Sequence, residues 1–346
     1  MSPTNQLPAA SFLRSRRSLI FSGMASGLIA LGYGGSRWGQ NLPPRDPAAE
    51  QRYRRAQDTL LQANGGDFQQ TYLQISDPNL RVHVLEAGKG DPVLLIHGGN
   101  GTAAQWVPLF GRLQRSFHVF APDRPGCGLT QMCNYNETGV PLRQHAVAFV
   151  RSTMDALGLE RATIIGNSMG GYFSLAFALA HPERVSRLIT IGEPAGSSAS
   201  VPFMFRLLAI RGVNRLMYST IMKPGDASTR DFFARMLVSN VHRVSKAYLD
   251  CVTAGALIPG ATESWLTMVQ NAGPLTYALR PELEKLTVPT LLIWGDKDAF
   301  GSPGRGAEMA ALMPRGRLEI VQDAGHLVWV DQPDKCTDLV CTFLNN

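Results

Sequence analysis

A serine hydroxyl is a weak nucleophile at neutral pH; it needs a base to take its proton, and the base needs an acid to orient it. The run Gly166-Asn167-Ser168-Met169-Gly170 sets a serine between two glycines, each two positions away. Alone that pattern is a weak signal. It gains weight because Thr163-Ile164-Ile165-Gly166 reads as a strand and Met169 to Ala180 as a helix, which puts Ser168 on a sharp strand-to-helix turn. Glycine at 166 and 170 relieves the crowding of such a turn, and Gly171 widens the clearance. The helix start also brings partial positive charge and a free N–H at Met169. An ordinary serine cap is the plainer alternative.

Seven histidines compete for the role of base. His326, in Asp323-Ala324-Gly325-His326, directly follows the last strand-like run, on a loop able to reach over the sheet's carboxyl edge. His97 also ends a strand, but His97-Gly98-Gly99-Asn100-Gly101 reads as a turn shaped for backbone donors. His83, His118, His145, His181 and His242 fall in expected strands, helices or the cap and read as packed or surface side chains. For the acid, Trp294-Gly295-Asp296-Lys297-Asp298 offers two carboxylates after the penultimate strand. Asp298 is expected to turn back towards the histidine, and Asp296 to hold the turn.

These residues need a scaffold, and the sequence supplies an α/β one. Strand candidates fall at 70–75, 81–86, 93–97, 118–122, 163–166, 188–192, 290–294 and 318–321, alternating with longer helical stretches. The first two look like an antiparallel edge. Runs such as 92–96 and 289–294 are continuously apolar, as strands covered by helices on both faces are. The strand rhythm stops between 194 and 286, where helical runs at 201–217 and 231–241 read as a helical cap inserted after the sixth strand. The cap divides the core into 68–193 and 287–346. Residues 36–67, with Pro43, Pro44, Pro47 and a polar stretch from Glu50 to Asp58, read as an exposed linker containing one short helix.

Over residues 68 to 346 the chain resembles the α/β-hydrolase family. The resemblance rests, in order, on His97-Gly98-Gly99-Asn100, Asp123-Arg124-Pro125-Gly126-Cys127-Gly128, Gly166-Asn167-Ser168-Met169-Gly170-Gly171, Gly295-Asp296-Lys297-Asp298 and Gly325-His326. It implies a mostly parallel eight-stranded sheet flanked by helices and the chain order nucleophile, acid, histidine, met by Ser168, Asp298 and His326. It further implies an oxyanion hole formed by the backbone N–H groups of Met169 and Gly99, with the N–H of Asn100 as the alternative to that of Gly99. Serine as nucleophile sets the chain apart from the haloalkane dehalogenase and epoxide hydrolase branches, which use aspartate there.

The expected chemistry is carboxylic ester hydrolysis through an acyl-enzyme. The Gly-Asn-Ser-Met-Gly-Gly run also looks like that of meta-cleavage-product hydrolases, which break a carbon–carbon bond, and a non-catalytic binding protein on the same fold is a third reading. The expected partner is a small-molecule acyl substrate. With no metal-ligand cluster and no dinucleotide-binding glycine run in context, no cofactor is expected. Arg206, Arg211 and Arg215 read as a solvated helix face, with a substrate carboxylate as the alternative. Phe203, Phe205, Leu207 and Leu208 suit either a pocket lining or cap core, and Trp106 and Trp329 core or pocket wall.

The net charge of +6 does not point to nucleic acid. Arg14, Arg16, Arg17, Arg37 and Arg45 lie in the first 45 residues with no acid; without those five, 28 basic residues face 27 acidic ones. The N-terminus instead reads as an address: Ser15-Arg16-Arg17-Ser18-Leu19-Ile20 resembles a twin-arginine export signal, and an apolar segment follows within residues 1–35. Export to the periplasm or beyond is one expectation, and membrane anchoring through residues 18–35 the other. The five cysteines show no metal spacing and read as free thiols, a Cys127–Cys133 bridge being the less favoured reading.

Overall fold

The structure, a computed structural model, describes residues 46–197, 203–272 and 279–346. The expected N-terminal address falls outside the described residues, as does the side chain of Phe205.

Eight strands form one sheet: β1 (Gln69–Ser76), β2 (Asn79–Ala87), β3 (Pro92–Ile96), β4 (His118–Pro122), β5 (Ala162–Asn167), β6 (Val185–Ile191), β7 (Thr290–Gly295) and β8 (Gly316–Val321). Their order is β1-β2-β4-β3-β5-β6-β7-β8. Only the β1–β2 and β2–β4 pairs are antiparallel; from β4 through β8 every pair is parallel. The α/β expectation, with its antiparallel edge, holds.

Side chains alternate across a strand, so a continuously apolar run serves two cores at once. Leu94, Ile96 and Ile164 pack with Phe149, Tyr172, Phe173 and Phe177 on one face. Leu95 and Ile165 pack with Trp106, Phe110 and Trp329 on the other. Trp106 and Trp329 stack there with ring centroids 4.2 Å apart, which makes both core residues.

Three expectations need correction. The stretch read as an exposed linker, 36–67, contains from Pro47 to Asn64 an 18-residue helix capped by the Asp46 side chain. Ala49, Tyr53, Leu60 and Leu61 are buried on one face of it, joined by Gln57, and Tyr53 reaches Gly255 in the helix Lys246–Ala256. The expected helix 201–217 is two, Phe203–Leu208 and Val213–Thr220, because the chain turns at Gly212, whose φ of 87° suits only glycine well. Likewise 231–241 is mostly not regular α-helix: a helix Asp226–Phe232 runs into a π turn, Phe233–Leu237.

Candidate active site

The carboxyl ends of the parallel strands bring the chemically interesting loops together. Ser168 follows β5 with φ 52° and ψ −115°, and the helix Met169–Ala180 begins at the next residue. A non-glycine residue with this backbone is strained, and such strain is held only where the surroundings over-determine it. Gly170 allows the turn: a Cβ there would run into the Ile96 and His97 carbonyls at the end of β3. A Cβ on Gly98 would meet both Asn167 and Ser168, so the loop after β3 lies directly against the serine. Ser168 itself is partly exposed.

His326 comes to the same place on the loop after β8 and is 2% exposed. The Asn167 amide, next to Ser168, donates to the Ile191 carbonyl (2.7 Å) and at longer range to the His326 carbonyl (3.4 Å). His326 Nδ1 donates to Asp298 Oδ2 at 2.8 Å, and Phe300 packs on the imidazole with centroids 4.4 Å apart. His326 Nε2 is buried and makes no hydrogen bond, to Ser168 or to any other group.

Asp298 also accepts from the Glu193 N–H at Oδ2 and the Phe300 N–H at Oδ1, both 2.9 Å. Burial works to raise its carboxyl, but the His326 imidazole and these two backbone donors outweigh it and hold the group below its ordinary range. Asp296 stays apart: its side chain accepts from the Ala324 N–H (3.1 Å) and ties the loops after β7 and β8.

His97 is a different kind of histidine. Its Nδ1 donates to the Gly98 carbonyl and its Nε2 accepts from the Arg124 N–H, each at 2.9 Å. Burial, reinforced by the Arg124 charge, lowers its pKa to about 3. The other histidines lie elsewhere: His83 against Asp123, His118 against Glu86, His181 near Glu183, His145 buried beside Tyr135, and His242 exposed.

Among the described residues neither the Gly99 nor the Met169 N–H meets an acceptor, so both are available to a ligand. Asn100, at φ 51°, turns its side chain outward to the Tyr218 hydroxyl (2.8 Å) on the helix Val213–Thr220. Trp265 closes over Gly99 from the helix Ala261–Ala272.

Three charged residues at the site had no role in the sequence reading. Arg124 is fully buried; its Nε donates to the His97 carbonyl (2.9 Å) and its Nη2 to the Gly98 carbonyl (2.6 Å). Nη1 lies 3.4 Å from the Met268 sulfur, and the guanidinium faces the Phe173 ring at 5.1 Å. Its sequence neighbour Asp123 is taken up by His83, Ala103 and Leu129. A buried guanidinium on two carbonyls of one loop fixes which way that loop's N–H groups point. Glu193 and Arg305 pair at 3.1 Å beside Asp298, and Arg305 also holds the Phe300 carbonyl. The available signal was a charge at the end of an apolar strand, at Asp123-Arg124 and at Gly192-Glu193.

The expected cap residues divide. Phe203 is 60% exposed, Arg206 and Arg211 are exposed, and Leu208 is buried with Val213, Met217 and Val269. Cys127 and Cys133 are both free thiols, as are the other three cysteines.

Residues 91–333 match the family model described as the alpha/beta hydrolase fold. The chain is 28% identical over 278 residues to the 2-hydroxy-6-oxo-6-phenylhexa-2,4-dienoate hydrolase of Burkholderia cepacia, covering 78% of this chain and 92% of that one. In structure it is similar to a carboxylesterase from Bacillus subtilis, with TM-score 0.69 and 21% identity, covering 86% of this chain and 98% of the other. It is also similar to the meta-cleavage product hydrolase of Pseudomonas fluorescens IP01, with TM-score 0.64, 24% identity and coverage of 80% and 97%. With its strand order, its strained serine turn and a family match over most of its length, the chain is a hydrolase that belongs to the α/β hydrolase fold family.

Proposed function

We propose that the chain is a serine hydrolase in which Ser168 is the nucleophile, His326 the general base, Asp298 the orienting acid, and the N–H groups of Gly99 and Met169 the oxyanion hole. The observation that carries this reading is the buried His326–Asp298 bond, which leaves Nε2 without a partner on a residue whose carbonyl meets the amide of Asn167, the neighbour of the strained, partly exposed Ser168. His326 Nε2 takes the Ser168 proton as Oγ attacks an acyl carbon, and Asp298 stabilises the imidazolium. The carbonyl oxygen gains its negative charge facing two unengaged donors. His326 then protonates the leaving group, and a water activated by the same nitrogen releases the acid.

The first substrate class is a small carboxylic ester, in keeping with the structural likeness to a carboxylesterase. The second is a vinylogous diketone acid cleaved at a carbon–carbon bond, in keeping with the likeness to the dienoate hydrolase of Burkholderia cepacia. The two separate on one comparison: hydrolysis of short p-nitrophenyl esters against a ring-cleavage dienoate. Turnover of the ester alone supports the first reading, and a dienoate preference replaces it with the second.

The N-terminal segment is read as an export signal or anchor on the strength of Arg16-Arg17 and the apolar run behind them. Cell fractionation of Arg16→Lys/Arg17→Lys tests it: a twin-arginine address fails and the chain stays in the cytoplasm, whereas unchanged location excludes that address.

A further inference from the structure

The helical hairpin of Phe203–Leu208 and Val213–Thr220 has two faces of opposite character. Inward, Leu208, Val213 and Met217 pack with Val269, and Tyr218 holds Asn100 on the loop beside Ser168. Outward, Phe203 (60%), Ile210 (48%), Leu216 (36%) and Ile221 (62%) are exposed. These four are half of the eight large apolar side chains exposed among the described residues, gathered into 19 positions. Scattered exposed apolar residues are ordinary, but a cluster marks an interaction surface.

The charge in this segment is one-sided. Between Pro194 and Gly225 the sequence has Arg206, Arg211, Arg215 and Lys223 and no Asp or Glu, in a chain otherwise close to balance beyond residue 45. Arg206, Arg211 and Lys223 are exposed, flanking the exposed apolar residues. The 45 residues ahead of the described fold carry five more arginines and no acid.

From this pattern we propose that the outer face of the hairpin, residues 203–223, docks on an anionic lipid bilayer. Apolar side chains interleaved with arginine and lysine suit the boundary between acyl chains and acidic headgroups, where each part finds its own partner. A second copy of the chain fits less well, because a two-fold contact would set these cations against their own copies. Docking here brings the roof of the candidate active site, through Tyr218 and Asn100, to the lipid surface. The inference does not depend on the chemistry assigned to Ser168.

Hydrogen exchange of the full chain tests it, because that readout follows 203–223 separately from any binding by the N-terminus. With phosphatidylglycerol vesicles the 203–223 peptides should exchange more slowly than in buffer, and with phosphatidylcholine vesicles they should not change. Arg211→Gln/Lys223→Gln should weaken docking of this face about thirtyfold and abolish the protection. Leu216→Ser/Ile221→Ser should abolish it too; all four side chains are exposed, and circular dichroism verifies the fold of both variants. A chain that sediments with phosphatidylglycerol vesicles while 203–223 exchanges as in buffer overturns the proposal. So does equal protection by both lipids. Protection that appears without lipid and grows with protein concentration assigns the face to a second copy instead.

Discussion

Two loops at the carboxyl edge of the sheet, one after β3 and one after β8, each carry a buried histidine, and the two are opposite in kind. His97 has both ring nitrogens engaged, one by a carbonyl of its own loop and one by the backbone of the next. His326 has one nitrogen on a carboxylate and the other buried without a hydrogen-bond partner. Burial alone therefore does not mark a base. What separates them is the partner: a carboxylate stabilises the charged ring, whereas an N–H donor on one side and a guanidinium nearby fix the neutral one.

The sharpest break of this comparison is exchange of the two histidines for residues that cannot move a proton. His326→Ala is expected to lower kcat/KM by about 10⁴-fold or more, on the scale of losing a member of a serine triad, while His97→Gln lowers it far less. Steady-state kinetics decide it, and the reverse order would make His97 the base.

The next test concerns the loop His97 belongs to. Arg124→Met removes a buried charge and keeps much of the side chain's volume, at a cost of about 1–3 kcal/mol of stability for the two carbonyls left without their donor. If Arg124 only fills space, activity should follow stability. As a positioning residue for the Gly99 donor, its loss should instead reduce kcat by about tenfold to a hundredfold with little change in KM, somewhat less than loss of an oxyanion donor itself. Equal kcat values in wild type and variant would remove that role.

A smaller effect comes from pH. The His97 pKa is lowered to about 3 and that of His145 to about 4, both chiefly by burial. Below pH 6.5 the unfolded chain binds protons at these positions that the folded chain refuses, so stability falls as pH drops from about 6.5 to 4. Each contributes about 1.4 kcal/mol per pH unit within that window. Asp298 acts in the same direction at lower pH: its depressed carboxyl keeps its full contribution above the ordinary aspartate range and loses it as pH falls below that. Urea denaturation at pH 6.5, 5.5 and 4.5 measures the slope, and His145→Phe should roughly halve it. An unchanged slope would refute the assignment.

The smallest change is expected at Glu193, whose ion pair with Arg305 braces the loop of Asp298 from one side only. Glu193→Gln keeps the backbone bond to Asp298 and should alter kcat by only about threefold, with a shift in the acid limb of the pH–rate profile. A loss as large as that of His326→Ala would place Glu193 in the role given to Asp298.

The legible parts of the sequence were those with a strict local requirement. The turn at Ser168 needs glycines, and the parallel strands need continuous apolar runs; both were readable, and the eight strands fall where those runs predict. The helix Pro47–Asn64 was misread because its buried face, Ala49, Tyr53, Gln57, Leu60 and Leu61, is spaced helically but holds a glutamine inside a polar stretch. The task of Arg124 is not legible in the sequence, since its partners are backbone carbonyls, which have no side-chain signature. The segment between β6 and β7 was read as helical, but the break at Gly212 comes from backbone geometry that apolar periodicity does not record.

The central claim, that Ser168 is activated by His326 and not by His97, is tested most directly by reacting the folded chain with a fluorophosphonate and locating the adduct by mass spectrometry. The account predicts an adduct on Ser168 in the wild type and in His97→Gln, and none in His326→Ala. An unlabelled Ser168 in the folded wild type, or labelling that survives in His326→Ala and vanishes in His97→Gln, would contradict it.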